Sequence, residues 1–297
     1  MPNLKDIKSR IQSVENTKKI TRAMKMVAAA KVKKAETSVK ASRPFSNELT
    51  VMFQRMLSTA GDATDGGEKY ERPLDNYPVL LEKRDVKSEG IIVVTSNKGL
   101  AGAYNANIIR AVLKRVETNT KNGVKTFLYV VGQKGVSGLK GVNILRKYIS
   151  AADSPTSSNA NIIAEDTAVD FVLGKIDKIT VITTQFNNMM SYTVTERQIL
   201  PVSEICESSK SEPLMEFIPS EKSILGKILP LYITNSIFQA LLEASASELA
   251  SRMTAMSAAS NNAEDMINNL TVSYNKARQG AITQELIEIV SGASAQR

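Results

Sequence analysis

The residue types that most often do chemistry are scarce in this chain. Its 297 residues include no His, no Trp and a single Cys, Cys206. Without His there is no Ser-His-Asp or Cys-His activation of a nucleophile, no HExxH metal site and no Cys/His zinc cluster. One Cys allows neither an internal disulfide nor a CxxC pair, and it fits a reducing compartment. Cys206 stands in a polar stretch without the basic neighbour or second thiol that would activate it. The segment SNKGLAGAYN (96–105) is Gly-rich and lies between a strand pattern and a helix pattern. It offers only Gly99 and Gly102, and it is neither GxGxxG nor GxxxxGK[ST], so a tight strand-to-helix turn is expected rather than a phosphate cradle. Asp166 and Asp170, like Glu285 and Glu288, stand about one helical turn apart and could hold a metal or do acid–base work. No His or third acid joins them, and solvated helix faces are the expectation. Met24, Met26, Met253 and Met256 fall in helical stretches, where unbranched Met fills irregular gaps or serves a changing interface. No catalytic constellation, metal site or cofactor site emerges.

The elements that must carry these residues are of two kinds. Residues 3–43 contain neither Gly nor Pro, and apolar residues recur at Leu4, Ile7, Ile11 and Val14, then at Ile20, Met24 and Val27. Those three- and four-residue steps mark an amphipathic helix with a coiled-coil seam, continued to residue 58 beyond a kink at Pro44. A second stretch without Gly or Pro runs from after Pro230 to Gly280. In it Ile267, Leu270, Tyr274, Ala277 and Ala281 repeat in heptad steps, with Ile282, Leu286 and Ile289 continuing one residue out of register. Between the two helices the period changes. IIVVT (91–95), KTFLYVVG (125–132), KITVITTQF (178–186) and the alternating 190–200 read as strands; 106–117 and 161–177 read as helices. Strand–helix alternation predicts an α/β domain with a largely parallel sheet, Rossmann-like in kind.

The expected organisation is a helix over 1–58, a linker over 59–87, the α/β domain over 88–200, a loop segment over 201–224 and a helix over 225–297. Each long helix has a seam too narrow to be a domain core, so the two are expected to pair as an antiparallel coiled coil. Small residues such as Ala28, Ala244 and Ala259 would allow close approach. Residues 253–263 (MTAMSAASNNA) carry no charge, which suits a rod enclosed by other protein. No stretch approaches the roughly 20 apolar residues of a membrane span, and no signal-peptide pattern opens the chain. A chain that is soluble or peripheral is expected.

The formal net charge of +8 is unevenly placed. Residues 1–43 hold 12 basic against 3 acidic residues, a net of +9, and the remaining 254 residues are nearly neutral. A basic arm suggests nucleic acid, an anionic surface or an acidic protein partner, against the alternative of a solvated helix face. Residues 1–43 contain no aromatic residue for base stacking.

Three segments carry a family resemblance. LKDIKSRIQSVENTKKITRAMKMVAAAK (4–31) resembles the N-terminal helix of the gamma subunit of F-type ATP synthases. SNKGLAGAYN resembles that family's signature turn, and the stretch from Ala246 to Ala293 resembles its C-terminal helix almost residue for residue. The resemblance implies a central rotor shaft standing inside three alpha and three beta subunits, with a foot on the ring of c subunits beside the epsilon subunit. It implies no catalytic site, cofactor or metal in this chain, no nucleic-acid partner, and membrane association through the complex only. Arg278 and Gln279 match the family's Arg-Gln pair that grips a beta-subunit loop, with Thr283 one turn later on the same face. Met24 and Arg252 match positions tied to coupling. Gly99, Gly102 and Asn105 belong to the signature turn, where Lys98 replaces the Arg of many relatives and loses its bidentate fork. Ala101 stands where many relatives have Cys, and the two-Cys insertion of chloroplast relatives is absent. The wording looks bacterial, which implies the cytoplasmic face of the plasma membrane. The rival readings are a basic coiled-coil nucleic-acid-binding protein and an α/β enzyme with a coiled-coil appendage.

Overall fold

A computed structural model describes residues 4–60, 77–82, 84–202 and 221–295. Helix α1 spans Leu4–Ala60 and helix α7 spans Glu221–Ala295. Between them lie α2 (Tyr77–Leu81), β1 (Ser88–Val94), α3 (Tyr104–Lys121), β2 (Lys125–Val131), α4 (Gln133–Gly138), β3 (Ile144–Tyr148), α5 (Ser150–Asp153), α6 (Ser157–Val172), β4 (Lys178–Asn188) and β5 (Ser191–Leu200). The chain divides into two compact units, one of Met1–Ala29 with Arg252–Arg297 and one of Ala30–Ser251. Among the described residues, no helix is long and apolar enough to cross a membrane.

In the Ala30–Ser251 unit the strands lie in the order β3-β2-β1-β4-β5. Neighbours are parallel except β4 and β5, which are antiparallel. β1 is central, pairing Ile92 with Tyr129 on one side and Val181 on the other. Its apolar run follows from that position, because a strand covered on both faces cannot alternate with polar residues. Ile91 and Val93 face α3, where Tyr104, Ile108 and Val112 are buried. Ile92 and Val94 face the opposite layer, built from Ile163, Ala164 and Phe171 of α6 and from Ile233, Ile237 and Leu241 of α7. Phe53 of α1 stacks on Tyr232 of α7 with ring centroids 4.8 Å apart. A third cluster joins Val32 and Val39 of α1 to Leu242, Ala246 and Ala250 of α7.

The two long helices run antiparallel here. Ser46 Oγ accepts from Asn235 Nδ2 (2.7 Å), Ser42 Oγ donates to Gln239 Oε1 (2.6 Å), and Arg43 Nε donates to Glu243 Oε1 (3.1 Å). In the other unit the pairing keeps the same sense, with Lys18 Nζ 3.1 Å from Glu264. There the shielded positions of α7 beyond Ala263 are Ile267, Leu270, Tyr274, Ala277 and Ala281, the heptad read from the sequence, with Gly280 beside the last.

Several expectations need correction. Ile20 and Val27 are 60% and 57% exposed. The shielded stripe continues from Val14 through Lys18, Thr21, Met24 and Ala28, so polar residues hold seam positions and the apolar pair faces outward. Ile282, Leu286 and Ile289 are likewise exposed. Counting from the Lys18–Glu264 pair, the fourteen residues back to Leu4 correspond to fourteen forward to Arg278, so no described α1 residue lies alongside the last turns of α7. β3 was not foreseen: it is short, half-buried and at the sheet edge, and its alternation is too brief to register. α6 ends at Val172, five residues before the expected end, because Gly174 turns the chain at φ +68°. Its start is capped by Thr156, whose side chain accepts from the Asn159 amide.

Residues 221–224, expected to be loop, already belong to α7, and Pro230 lies inside it. Leu229 and Ile233, both fully buried, hold the helix on either side of a residue that costs about 3 kcal/mol in an isolated one. Residues 77–81, expected to be linker, form α2, with Leu80 fully buried. Cys206 and most of the expected loop segment lie outside the described residues.

Candidate functional site

The signature turn begins where β1 stops. Thr95 donates from its backbone N–H to Val131 O (2.9 Å) and from Oγ1 to the same carbonyl (2.8 Å), while the Gly135 N–H donates to Thr95 Oγ1 (2.9 Å). This lock brings the β2–α4 junction so close that a Cβ on Gly132 would lie 2.3 Å from Thr95 O, and Gly132 also takes φ +91°. Only Gly fits there.

Within the turn the polar groups satisfy one another. Asn105 Oδ1 accepts from the Ser96 backbone N–H (3.1 Å), Asn105 Nδ2 donates to Ser96 Oγ (2.8 Å), and Ser96 Oγ donates to Lys98 O (2.7 Å). Asn97 Oδ1 accepts from the Gln133 N–H (2.9 Å). Gly102 takes φ +55°, and Leu100 takes φ +63° although it has a side chain and is 62% exposed. A non-Gly residue held there costs of order 1 kcal/mol and marks a turn fixed by its surroundings.

Sheet order reverses between β1 and β4, the switch point outside which doubly wound sheets bind ligands. Here α7 crosses that point. Thr183 Oγ1 donates to Ala240 O (3.4 Å), Tyr104 Oη to Ala244 O (3.2 Å) and Ser251 Oγ to Ala101 O (2.7 Å). Small residues of α7 permit that approach. Burial pushes the Tyr104 hydroxyl well above its ordinary pKa, which keeps it a donor. The gap left beside these groups is about 20 Å³, room for about one water and nothing larger. The turn therefore acts as a socket for a helix.

Two buried charge networks tie the sheet to its helices. Glu89 of β1 is 1% exposed. It accepts from Arg115 Nη2 (2.9 Å) and Nε (3.0 Å), from Thr180 Oγ1 (2.6 Å) and from Asn119 Nδ2. Burial pushes its pKa up, but the hydrogen bonds from Arg115, Thr180 and Asn119, with the Arg115 charge, hold it below the ordinary carboxylate value. On the other side, Asp170 accepts from Tyr129 Oη (2.7 Å) and pairs with Lys175 (3.1 Å). Asp166 accepts from Arg146 (2.5 Å) and Tyr148 Oη (2.6 Å). The expectation of a solvated face fails for this pair: Asp170 is 1% exposed, and both acids are spent on fixing β2 and β3 to α6. Among the described residues no cluster of three metal-ligating side chains occurs.

The remaining site residues fall in two places. Arg278, Gln279 and Thr283 lie exposed on α7, with Thr283 Oγ1 donating to Gln279 O (2.9 Å), which places Gln279 and Thr283 on one face one turn apart. Met24 on α1 and Arg252 on α7 are half-buried in the same unit. Lys98, exposed at the turn, belongs to the other unit with Gly99, Gly102 and Asn105. Sequence reasoning overlooked the polar layer of Ser42, Arg43 and Ser46 with Asn235, Gln239 and Glu243. Its signal was the four-residue spacing of long polar side chains in an otherwise apolar stretch of α7.

A family model described as ATP synthase matches residues 3–296. The ATP synthase gamma chain of Exiguobacterium sibiricum is 41% identical over 300 residues and covers 100% of both chains. That of Heliobacterium modesticaldum is 38% identical over 305 residues, covering 99% of each. A chain in the central stalk and c-ring of the Tetrahymena thermophila mitochondrial ATP synthase superposes with TM-score 0.60 at 28% identity, over 81% of this chain and 99% of that one. A chain of the Euglena gracilis mitochondrial ATP synthase shares the fold at TM-score 0.69 and 16% identity, over 99% of this chain and 94% of that one.

Proposed function

The chain belongs to the ATP synthase gamma-chain family, and on that premise we propose how it works as the central-stalk rotor subunit of an F-type complex. Its partners are three alpha and three beta subunits around the paired ends of α1 and α7, with the epsilon subunit and the c-ring at its foot. Ion flow turns the c-ring, the shaft turns with it, and its asymmetry drives the beta subunits through the states that bind ADP and phosphate and release ATP. During hydrolysis the same coupling runs in reverse. The chain has no active site of its own; it transmits force to its neighbours' sites. It works at the cytoplasmic face of the plasma membrane, attached through the complex.

The observation that carries this reading is the antiparallel helix pair of the Met1–Ala29 and Arg252–Arg297 unit. Beyond Ala263 it hides only a narrow stripe, leaves large apolar residues such as Val272 (69%) and Ile289 (67%) in the open, and has an uncharged run at 253–263. Long Gly-poor helices supply stiffness, and an uncharged Met/Ala/Ser face lacks directional bonds that would hold the shaft at one angle. Grip needs a few strong reversible bonds. Arg278 supplies a planar fork for a carboxylate of a beta subunit, with Gln279 next to it and Thr283 one turn after Gln279. Lys98 offers a single ammonium at the signature turn, a less directional contact. Met24 and Arg252 carry coupling through the helix pair.

The nucleic-acid alternative has only the basic arm in its favour, and that arm lacks aromatics. Reconstitution tests the rotor reading: purified alpha and beta subunits should give a robust, rotating ATPase only when this chain is added. Full assembly and activity without it would sink the reading.

A further inference from the structure

In the Ala30–Ser251 unit, α1, α7 and the β4–β5 pair enclose a polar cavity of about 200 Å³. Part of its wall is fixed. Arg43 donates through Nε to Glu243 Oε1 (3.1 Å) and through Nη2 to Phe186 O (2.5 Å), and Gln239 Nε2 donates to the same Glu243 Oε1 (2.9 Å). Both bonds fall on Oε1, so Glu243 Oε2 accepts nothing among the described residues. Arg197 of β5, Gln185 of β4, Asn47 of α1 and Ser236 of α7 also line the cavity. No side chain of these four makes a hydrogen bond or ion pair among the described residues. Thr195, Arg197 and Ile199 alternate onto the face of β5 that α7 covers, which is why the guanidinium reaches the cavity.

The chemistry of the lining is specific. Two guanidinium groups against one carboxylate leave one positive charge in excess. The unused carboxylate oxygen asks for a donor, and the unpaired Arg197 asks for an acceptor with two oxygens in a plane. An oxyanion that retains a proton at neutral pH meets both demands. Phosphate does so; sulfate does not. The volume holds roughly six waters at about 30 Å³ each, and it falls short of the ~300 Å³ at which pockets begin to take drug-sized ligands. It has room for the anion and none for a nucleoside.

We propose that this cavity binds orthophosphate, Arg197 holding its anionic oxygens and Glu243 Oε2 accepting from its P–OH group. Arg43 and Gln239 keep the carboxylate in place. The site lies outside the gripping face of α7 and does not rest on the rotor reading.

The test uses the full-length chain, titrated with potassium phosphate and, at matched ionic strength, with potassium sulfate or ATP, read by calorimetry and by thermal unfolding. Saturable phosphate binding is expected, at least tenfold tighter than sulfate. Arg197→Gln, a change at an exposed position that leaves the fold intact, should weaken phosphate at least tenfold. Gln185→Leu should weaken it by a smaller factor. Equal response to sulfate, no saturable binding up to tens of millimolar phosphate, or unchanged affinity in Arg197→Gln would each overturn the proposal. So would ATP binding as tightly with the same dependence on Arg197, since the site would then belong to a nucleotide.

Discussion

Helix α7 lives in two environments. From Leu229 to Ala250 nearly every residue is buried or half-buried, because α1 flanks one side and the sheet the other. From Glu264 to Val290 only a stripe of every third or fourth residue is shielded. Both stretches are continuous helix, broken in pattern only by Pro230 and Gly280; the first is dominated by Leu, Ala, Ser and Ile, while the second keeps Ile but carries more charged and Asn residues. The difference teaches that the helix is specified locally while its burial is specified by what lies beside it. One stretch anchors the chain in a folded body; the other presents side chains to partners.

Core truncation should separate the two most sharply. Ile237→Ala, in the fully enclosed stretch, is expected to cost about 2–5 kcal/mol in urea unfolding. Leu270→Ala, on the half-buried stripe, should cost roughly 1 kcal/mol. Equal losses would break the comparison.

The buried Glu89–Arg115 pair gives a second handle on the folded body. Arg115→Met leaves a carboxylate without its cation, and the expected loss at pH 7 is roughly 2–4 kcal/mol, below the ~3–5 of a fully enclosed pair because Arg115 is partly exposed. The pH signature has a definite sign. In the wild type the Glu89 pKa is lowered on folding, so its contribution is present above the unfolded value of about 4.3 and fades as pH falls through the folded value. In Arg115→Met burial dominates, the folded pKa rises above the unfolded one, and stability should improve as pH drops toward 4. Chemical denaturation across pH 3–8 (a range on the order of the Glu titration) would show the two slopes with opposite signs.

The exposed stretch should respond in function instead. Arg278→Ala is expected to lower torque or coupling in single-molecule rotation by a clear margin while shifting the melting temperature little. Arg297→Ala, beyond the residues the family model matches, should leave rotation intact. Equal effects would remove Arg278 from the gripping role. Smallest of all, Val272→Ser, at a residue 69% exposed, should change unfolding free energy by less than about 0.5 kcal/mol.

Legibility in the sequence followed the same division. The heptad Ile267, Leu270, Tyr274, Ala277 and Ala281 could be read directly because a two-helix seam has a single period. Continuation through Ile282, Leu286 and Ile289 could not be judged, because an apolar residue looks the same whether or not a neighbouring helix is there to cover it. Ile20 and Val27 misled for the converse reason: the seam positions are held by polar residues, Lys18 pairing with Glu264 and Thr21 donating its hydroxyl to Lys18 O. Asp166 and Asp170 read as surface acids because the tyrosines and Arg146 that enclose them come from β2 and β3, of which the second was itself invisible.

Periodicity, the placement of Gly and Pro, and the absence of His were enough to determine two long helices around a largely parallel α/β sheet, and to exclude the common nucleophile and zinc chemistries. These are properties of neighbouring residues along the chain, where sterics and helix or strand period act directly. Tertiary structure alone decided that α7 fills the switch-point crevice at the signature turn, that Asp170 is buried, and that Arg197 meets Glu243 across one cavity. Each of these depends on groups far apart in sequence brought to within a few ångströms, and burial, not residue type, then sets what a charge or a hydroxyl can do.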